Sequence, residues 1–278
     1  MDSERLPPGL YVVATPIGNL GDLSPRAADV LRRASLVLAE DKRVTAKLLT
    51  HVTAKPKMAT YHDHSSAAER DAILARLGEQ AVALVSDAGT PLISDPGYKL
   101  VRAARAAGHH VTTIPGPSAA IAALTLAGLP TDRFLFAGFL PAKAKARADT
   151  IAELAAVRST LVLYESGPRL GETLAALAEG LGEREAAVAR EITKLHEECV
   201  TGALAQLAER YAQSPPKGEI VIIVGPPLER QQASDAELDA ALDEALVRLS
   251  PSRAAAEVAE QLNVPRKRAY ARALERAK

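Results

Sequence analysis

Tryptophan is absent from this chain, phenylalanine occurs three times and cysteine once, and neither sign of charge is in excess: 34 Lys and Arg face 34 Asp and Glu among 278 residues. Each shortage excludes something. At 3% aromatics there are too few ring faces to grip a single strand by stacking many bases, and zero net charge gives no bulk attraction to polyanions. Any nucleic-acid role has to be local. The single Cys199 permits neither an internal disulfide nor a cysteine zinc site, which fits a reducing compartment, and an inert thiol is expected there. Apolar runs such as Ala81–Val85 and Thr160–Tyr164 are strand-sized, far below the ~20 residues of a spanning helix. Met1–Pro8 holds no apolar signal segment, so the expectation is a soluble, cytoplasmic protein without a membrane partner. A hydrophobic fraction of 47% excludes disorder.

What is present is alternation. Leu10–Ala14 predicts a buried strand running into the turn Thr15–Gly21, and Ser24-Pro25 supplies an N-cap and first-turn proline for a helix over Arg26–Arg33. Strands at Leu36–Ala39, Ala81–Ser86 and His110–Ile114 then alternate with helices near Thr45–Leu49, Ala67–Leu77 and Tyr98–Ala107. Pro115-Gly116-Pro117 breaks regular structure and marks a boundary or hinge. Beyond it come helices at Ala119–Ala127, Asp149–Ala156, Leu170–Leu181 and Leu204–Ala212 and strands at Phe134–Phe139, Thr160–Tyr164, Ala186–Arg190 and Glu219–Val224. The pattern predicts an α/β protein of two α/β domains, residues 9–115 and 117–228, with mostly parallel or mixed sheets. Pro226–Ala233 is a linker. Ser234 then caps Asp235–Arg248, Ser252 caps Arg253–Leu262, and Pro265 opens Arg266–Ala277, with a turn at Gln261–Val264; residues 234–278 form a small helix-turn-helix-like extension.

In open parallel sheets ligands sit beyond the carboxyl ends of the strands, so the loops there carry the chemistry. Gly18-Asn-Leu-Gly21 followed by Asp41 suggests a degenerate dinucleotide loop with a ribose-binding acid, or simply a tight turn and a solvated acid. Pro16 replaces the first glycine of the dinucleotide pattern, which weakens NAD and leaves a ribose-bearing cofactor without pyrophosphate. Ser86–Gly97 packs two glycines, two prolines and two aspartates into one loop, fixing the backbone so that main-chain groups can meet a polar ligand. His62-Asp-His64 lacks a third ligand at metal spacing and suits a polar substrate-facing loop; no metal is expected. Ser118 lies outside a hydrolase elbow frame.

Together, Val13–Leu20, Ala39-Glu-Asp-Lys-Arg43, Tyr61-His-Asp-His64, Ser86–Gly97, Pro115–Ala119, Gly138-Phe-Leu-Pro141, Tyr164-Glu-Ser166 and Arg190-Glu191 closely resemble the small-subunit ribosomal RNA methyltransferase I family of the tetrapyrrole methylase superfamily. The resemblance runs from about Leu10 to Gly225, and the helical tail resembles the extra domain many members carry. It implies S-adenosylmethionine as methyl donor, transfer to a cytidine 2′-oxygen of 16S rRNA, with the 30S subunit as context, and a homodimer. It places donor contacts on Pro16, Ala88, Gly89, Thr90, Ile93, Ser118, Ala119, Glu165, Ile192 and Ile220. Two positions depart from the family pattern, Lys42 for a threonine and Ser65-Ser66 for Asn-Glu, and both bear on how RNA is held.

Methylating a hydroxyl requires an acceptor for its proton. Asp41, His62, His64, Asp87, Asp95, Glu165, Glu191 and Lys194 stand in the relevant loops, with Asp87 or Glu191 expected to accept or orient the proton. Arg43, Arg169 and Arg190 are expected to hold RNA phosphates together with His62 and His64, unless salt bridges use them. Arg266, Lys267, Arg268, Arg272, Arg276 and Lys278 crowd the last helix against one acid, Glu275, and predict an RNA-docking face. A small-molecule methylase for tetrapyrroles would keep the donor loops without needing a basic tail, and a non-catalytic nucleotide-sensing RNA-binding module would never turn the donor over.

Overall fold

Alternate residues of a strand face opposite sides of its sheet, and here both sides are apolar. In the computed structural model, which describes residues 6–62, 64–227, 233–262 and 264–277, strands β1 (Gly9–Val13), β2 (Leu36–Ala39), β3 (Lys57–Thr60), β4 (Ala81–Leu84) and β5 (Val111–Ile114) pair in the order β3-β2-β4-β1-β5, all parallel. Tyr11, Val13, Val37, Ala39 and Ala83 point to one face, covered by α1 (Pro25–Arg33) and α2 (Lys42–His51). Leu10, Leu36, Leu38, Val82 and Leu84 point to the other, covered by α3 (Ala67–Leu77) and α4 (Tyr98–Ala106). The doubly covered sheet explains why β1, β2 and β4 are unbroken apolar runs.

The chain leaves this sheet after Ile114 and enters α5 (Ala119–Leu126), whose Ala120, Ala123 and Leu124 pack on a second sheet. Its strands, β6 (Phe134–Phe139), β7 (Thr160–Ser166), β8 (Glu185–Arg190), β9 (Glu198–Ala203) and β10 (Glu219–Val224), lie in the order β6-β7-β10-β8-β9. α6 (Ala144–Ala155), α7 (Leu170–Leu181) and α8 (Leu204–Gln213) cover its other face. This sheet is mixed: only β6 and β7 run parallel, while β7, β10, β8 and β9 are antiparallel neighbours. The loop 191–197 is too short for a crossover, so β9 returns beside β8.

Two strands escape the sequence pattern. β3 and β9 are edge strands with half-exposed residues, so neither presents an apolar run. α2 begins earlier than expected because Asp41 accepts the Arg43 N–H as its N-cap. α6 begins at Ala144, so the basic segment Lys143–Arg147 opens that helix instead of leading to it.

Residues fall into two compact units, Met1–Pro227 and Leu228–Lys278. In the second, α9 (Asp235–Leu246), α10 (Pro251–Gln261) and α11 (Arg266–Arg276) bury Leu238, Leu242, Ala255, Val258, Ala269 and Ala273. α10 takes Ser250, not Ser252, at its N-cap, because Pro251 occupies the first helical position. Residues 228–232 of the expected linker, Asn263 of the expected turn, Asp63 of the histidine loop and Lys278 lie outside the described residues. The last helix carries one acid of its own, Glu275, and packing brings three more against it: Arg268 pairs with Asp235, Arg272 with Asp239, and Arg276 with Asp243 and Asp239. Both helices repeat charge every four residues, one turn, so the acids of α9 ladder against the arginines of α11.

Candidate active site

The first loop, the long loop and the turn after β5 are tied into one wall. Thr15 and Gly89 exchange backbone hydrogen bonds at 2.8 and 3.1 Å, the Thr15 hydroxyl donates to Ser86 O at 3.2 Å, and the Thr90 hydroxyl donates to Pro117 O at 2.9 Å. Gly89 (φ 81°) and Gly97 (φ 135°) supply conformations that an L side chain resists. Leu92 and Ser94 in the same loop, and Glu191 and Thr193 after β8, hold left-handed conformations without being glycine. Each costs of order 1–3 kcal/mol and persists only where the surroundings over-determine it.

These loops enclose a cleft of about 300 Å³. From the first α/β layer it is lined by Ile17, Glu40, Asp87–Thr90 and Ile93–Asp95; Ser118 and Ala119 follow the turn after β5, and Phe139, Tyr164, Glu165, Glu191, Ile192, Lys194 and Glu219–Val221 come from the second layer. Of the donor contacts implied by resemblance, all but Pro16 line it; Ile17, the next residue, stands there instead. The Tyr164 hydroxyl accepts the Ala120 N–H at 3.2 Å, fixing the start of α5, and its ring meets Phe136 and Phe139 edge-on. Burial pushes its pKa up.

Six lining residues are carboxylates (Glu40, Asp87, Asp95, Glu165, Glu191, Glu219) and one, Lys194, is cationic, so the cleft favours a positively charged ligand and disfavours a pyrophosphate. The carboxylates differ in how they are held. Glu165, 1% exposed, accepts from the Ser166 N–H at 2.8 Å and the Thr173 hydroxyl at 2.7 Å and pairs with Arg169 at 3.3 Å, so it shapes the wall. Asp87 Oδ1 accepts the Asp41 N–H at 3.0 Å, and Glu191 pairs with Lys194 at 2.9 Å. Asp95 has no basic partner among the described residues. Burial, with help from neighbouring Glu40, Asp87 and Glu219 and against the Ser86 hydroxyl, raises its pKa to about 6. Apolar walls, ribose-type acceptors and surplus negative charge fit S-adenosylmethionine, whose sulfonium is a cation and which carries no phosphate.

The arginines expected at RNA are engaged. Arg169 turns inward, also donating to Leu140 O at 2.9 Å, and the Arg190 Nε donates to Glu198 at 2.6 Å. Arg43 stays exposed beside Asp41, 2.6 Å away, and holds the Asp41 carboxyl down to about 2. His62 and His64 are exposed neighbours, ring centroids 6.1 Å apart; among the described residues no group of three metal-ligating side chains gathers. Sequence reasoning passed over Glu40, Tyr164 and Glu219. Glu219 stands at the start of a strand, but β10 is antiparallel to β7 and β8, so its beginning lies at their carboxyl ends. Glu40 and Tyr164 sat within motifs already noted, where only the fold distinguishes a lining side chain from its neighbours.

The family described as Tetrapyrrole (Corrin/Porphyrin) Methylases matches residues 9–208, and the family described as RsmI C-terminal HTH domain matches residues 232–277. The chain is 57% identical over 273 residues to the Ribosomal RNA small subunit methyltransferase I of Erythrobacter litoralis, covering 98% of this chain and 97% of that protein. It is 47% identical to the protein of that name from Mesorhizobium japonicum, covering 97% and 92%. Among solved structures, diphthine synthase shares the fold at a TM-score of 0.61 and 14% identity, covering 78% of this chain and 90% of that one. The uroporphyrin-III C-methyltransferase of Thermus thermophilus complexed with S-adenyl homocysteine does so at 0.52 and 24%, covering 78% and 96%.

Proposed function

The chain belongs to the tetrapyrrole methylase family, among the ribosomal RNA small subunit methyltransferase I proteins, and from that premise we propose that it methylates the 2′-hydroxyl of a cytidine in 16S rRNA, using S-adenosylmethionine, on the 30S subunit in the cytoplasm. The observation that carries the reading is the acid-rich cleft between the two α/β layers, which favours a cationic donor over a phosphate-bearing one. Ala88, Gly89, Thr90, Ser118, Ala119, Ile192 and Ile220 hold the donor, with Ile17 and Ile93 as apolar wall. Once bound, the donor supplies a methyl group already activated by the sulfonium charge.

The chain's own task is to position a hydroxyl and remove its proton. Asp95 takes that proton on a carboxylate oxygen. A base is most effective when its pKa lies near the working pH, and Asp95, at about 6, has no basic side-chain partner among the described residues. Asp87 anchors the Asp41 N–H at the start of α2 and Glu191 holds Lys194, so both orient the walls in place of the proton-accepting role expected from sequence.

Exposed Phe134, Leu135 and Phe139 on the edge strand β6, with Ile121 and Leu126 on α5, support a homodimer that covers this apolar edge. In the C-terminal unit the arginines facing α9 are neutralised, and exposed Arg266 and Lys267 are the RNA-docking cations.

Incubation of the full chain with 30S subunits and methyl-labelled donor, followed by mass mapping of 16S rRNA, is expected to yield one 2′-O-methylcytidine. A methyl on a base carbon or nitrogen overturns the oxygen assignment. Labelling of a tetrapyrrole instead favours the small-molecule alternative, and donor binding without turnover favours the binding module.

A further inference from the structure

A second hollow adjoins the cleft and has the opposite charge. It is lined by Arg190, Glu191, His196, Lys217 and Gly218, and Glu191 is the wall the two share. Glu191 is already countered by Lys194 at 2.9 Å and Arg190 by Glu198 at 2.6 Å, which leaves Lys217 as the surplus charge of the hollow, beside the imidazole of His196 and the outer N–H groups of Arg190. Arg190 commits its Nε to Glu198 and retains its terminal N–H groups. Lys217 and His196 are exposed and have no ion-pair partner among the described residues. Gly218 (φ 95°) brings the backbone close: a Cβ there would stand 2.7 Å from Glu191 Oε1. A side chain on residue 218 would be strained by that φ and would push the Glu191 carboxylate aside.

We propose that this hollow is the subsite for the RNA backbone phosphate next to the methylated ribose, held by Lys217, His196 and the free edge of Arg190. The proposal rests on the 2′-O-methylation reading and supplies what that reading lacks. The 3′-phosphate hangs from the carbon adjacent to the one bearing the 2′-hydroxyl, so a site for one must border the site for the other. A cleft lined by six carboxylates repels that phosphate; the adjoining cationic hollow accepts it and thereby orients the nucleotide with its hydroxyl toward the acids. Phosphate contacts of this kind fix register without reading sequence.

The test uses the full chain, 30S subunits and S-adenosylmethionine, comparing wild type with Lys217→Ala, His196→Ala and the double variant, and with Lys217→Arg. Expected is a rise of about tenfold in KM for the RNA substrate in each single variant, with kcat and donor Kd unchanged. The plot of log affinity against log salt should be shallower by about one unit for each phosphate the variant no longer neutralises, and Lys217→Arg should restore most of the affinity. Unchanged RNA affinity and salt slope in the double variant, with donor binding intact, overturns the subsite. A wild type that binds donor but leaves 16S rRNA unmethylated overturns the underlying reading instead.

Discussion

The stem of Lys194 lies across Gly18: a Cβ on residue 18 would stand 2.6 Å from Lys194 Cγ and 2.7 Å from its Cε. The contact joins the first loop of one layer to the loop after β8 of the other, and it aims the Lys194 ammonium at Glu191.

Gly18→Ala is expected to displace the Lys194 side chain and release Glu191 without unfolding the protein, because a lysine stem can swing aside. Donor affinity should fall several-fold, of order 1 kcal/mol, while the urea midpoint hardly moves. Gly167→Ala makes the contrast. Its Cβ would stand 1.7 Å from Pro216 O, a backbone atom that cannot swing, so this variant should lose more than about 2 kcal/mol of stability by urea titration.

Turnover should rise with pH through about 6 and level off above it, following ionisation of Asp95. Asp95→Asn is expected to lower kcat roughly 100-fold or more and to flatten that limb, with donor still bound. A retained wild-type limb in the variant removes Asp95 as the proton acceptor.

The same group governs a stability difference. A carboxyl whose pKa is raised in the folded state favours folding fully below its unfolded value of 3.8, and this advantage is lost as pH rises through about 6. Asp95→Asn should therefore be more stable than wild type at pH 7 to 8, by about 1 kcal/mol once partial exposure is discounted. The difference should vanish near pH 4, as read from urea midpoints.

Within the C-terminal unit, hydrogen bonds from Arg268, Arg272 and Arg276 lower the carboxyls of Asp235, Asp239 and Asp243 below their ordinary values. Lowered acids support the fold above pH 3.8 and lose that support as pH falls through their folded values. Arg272→Gln is expected to speed amide hydrogen exchange in α9 and α11, the more so at low salt, and leave exchange in β1–β10 unchanged. Charge exchange by Asp239→Arg with Arg272→Asp should recover part of the protection.

Substituting Arg266 and Lys267 together by alanine should weaken 30S binding and reduce its salt slope by up to about two, without altering amide protection in α11. Loss of binding only in the Arg272 variant, through unfolding, would instead place docking elsewhere.

Periodicity and turn chemistry carried much of the fold into the sequence. The apolar runs of β1, β2 and β4 and the capping residues Ser24 and Ser234 each mark an element locally, because burial and capping act over a few residues. The long loop Ser86–Gly97 was also legible, since glycine and proline impose their conformations wherever they stand.

Scarcity of aromatics and zero net charge, together with the resemblance of the loop motifs, pointed to local recognition by a donor-binding α/β protein; that much belongs to the sequence. Which charges are free is a matter of tertiary structure alone. The basic helix α11 looked available until α9 brought Asp235, Asp239 and Asp243 against it, and Asp95 looked like one acid among several until burial beside Glu40, Asp87 and Glu219 set it apart. Charge is written in the sequence, but its partners and its solvation depend on residues brought together from distant parts of the chain.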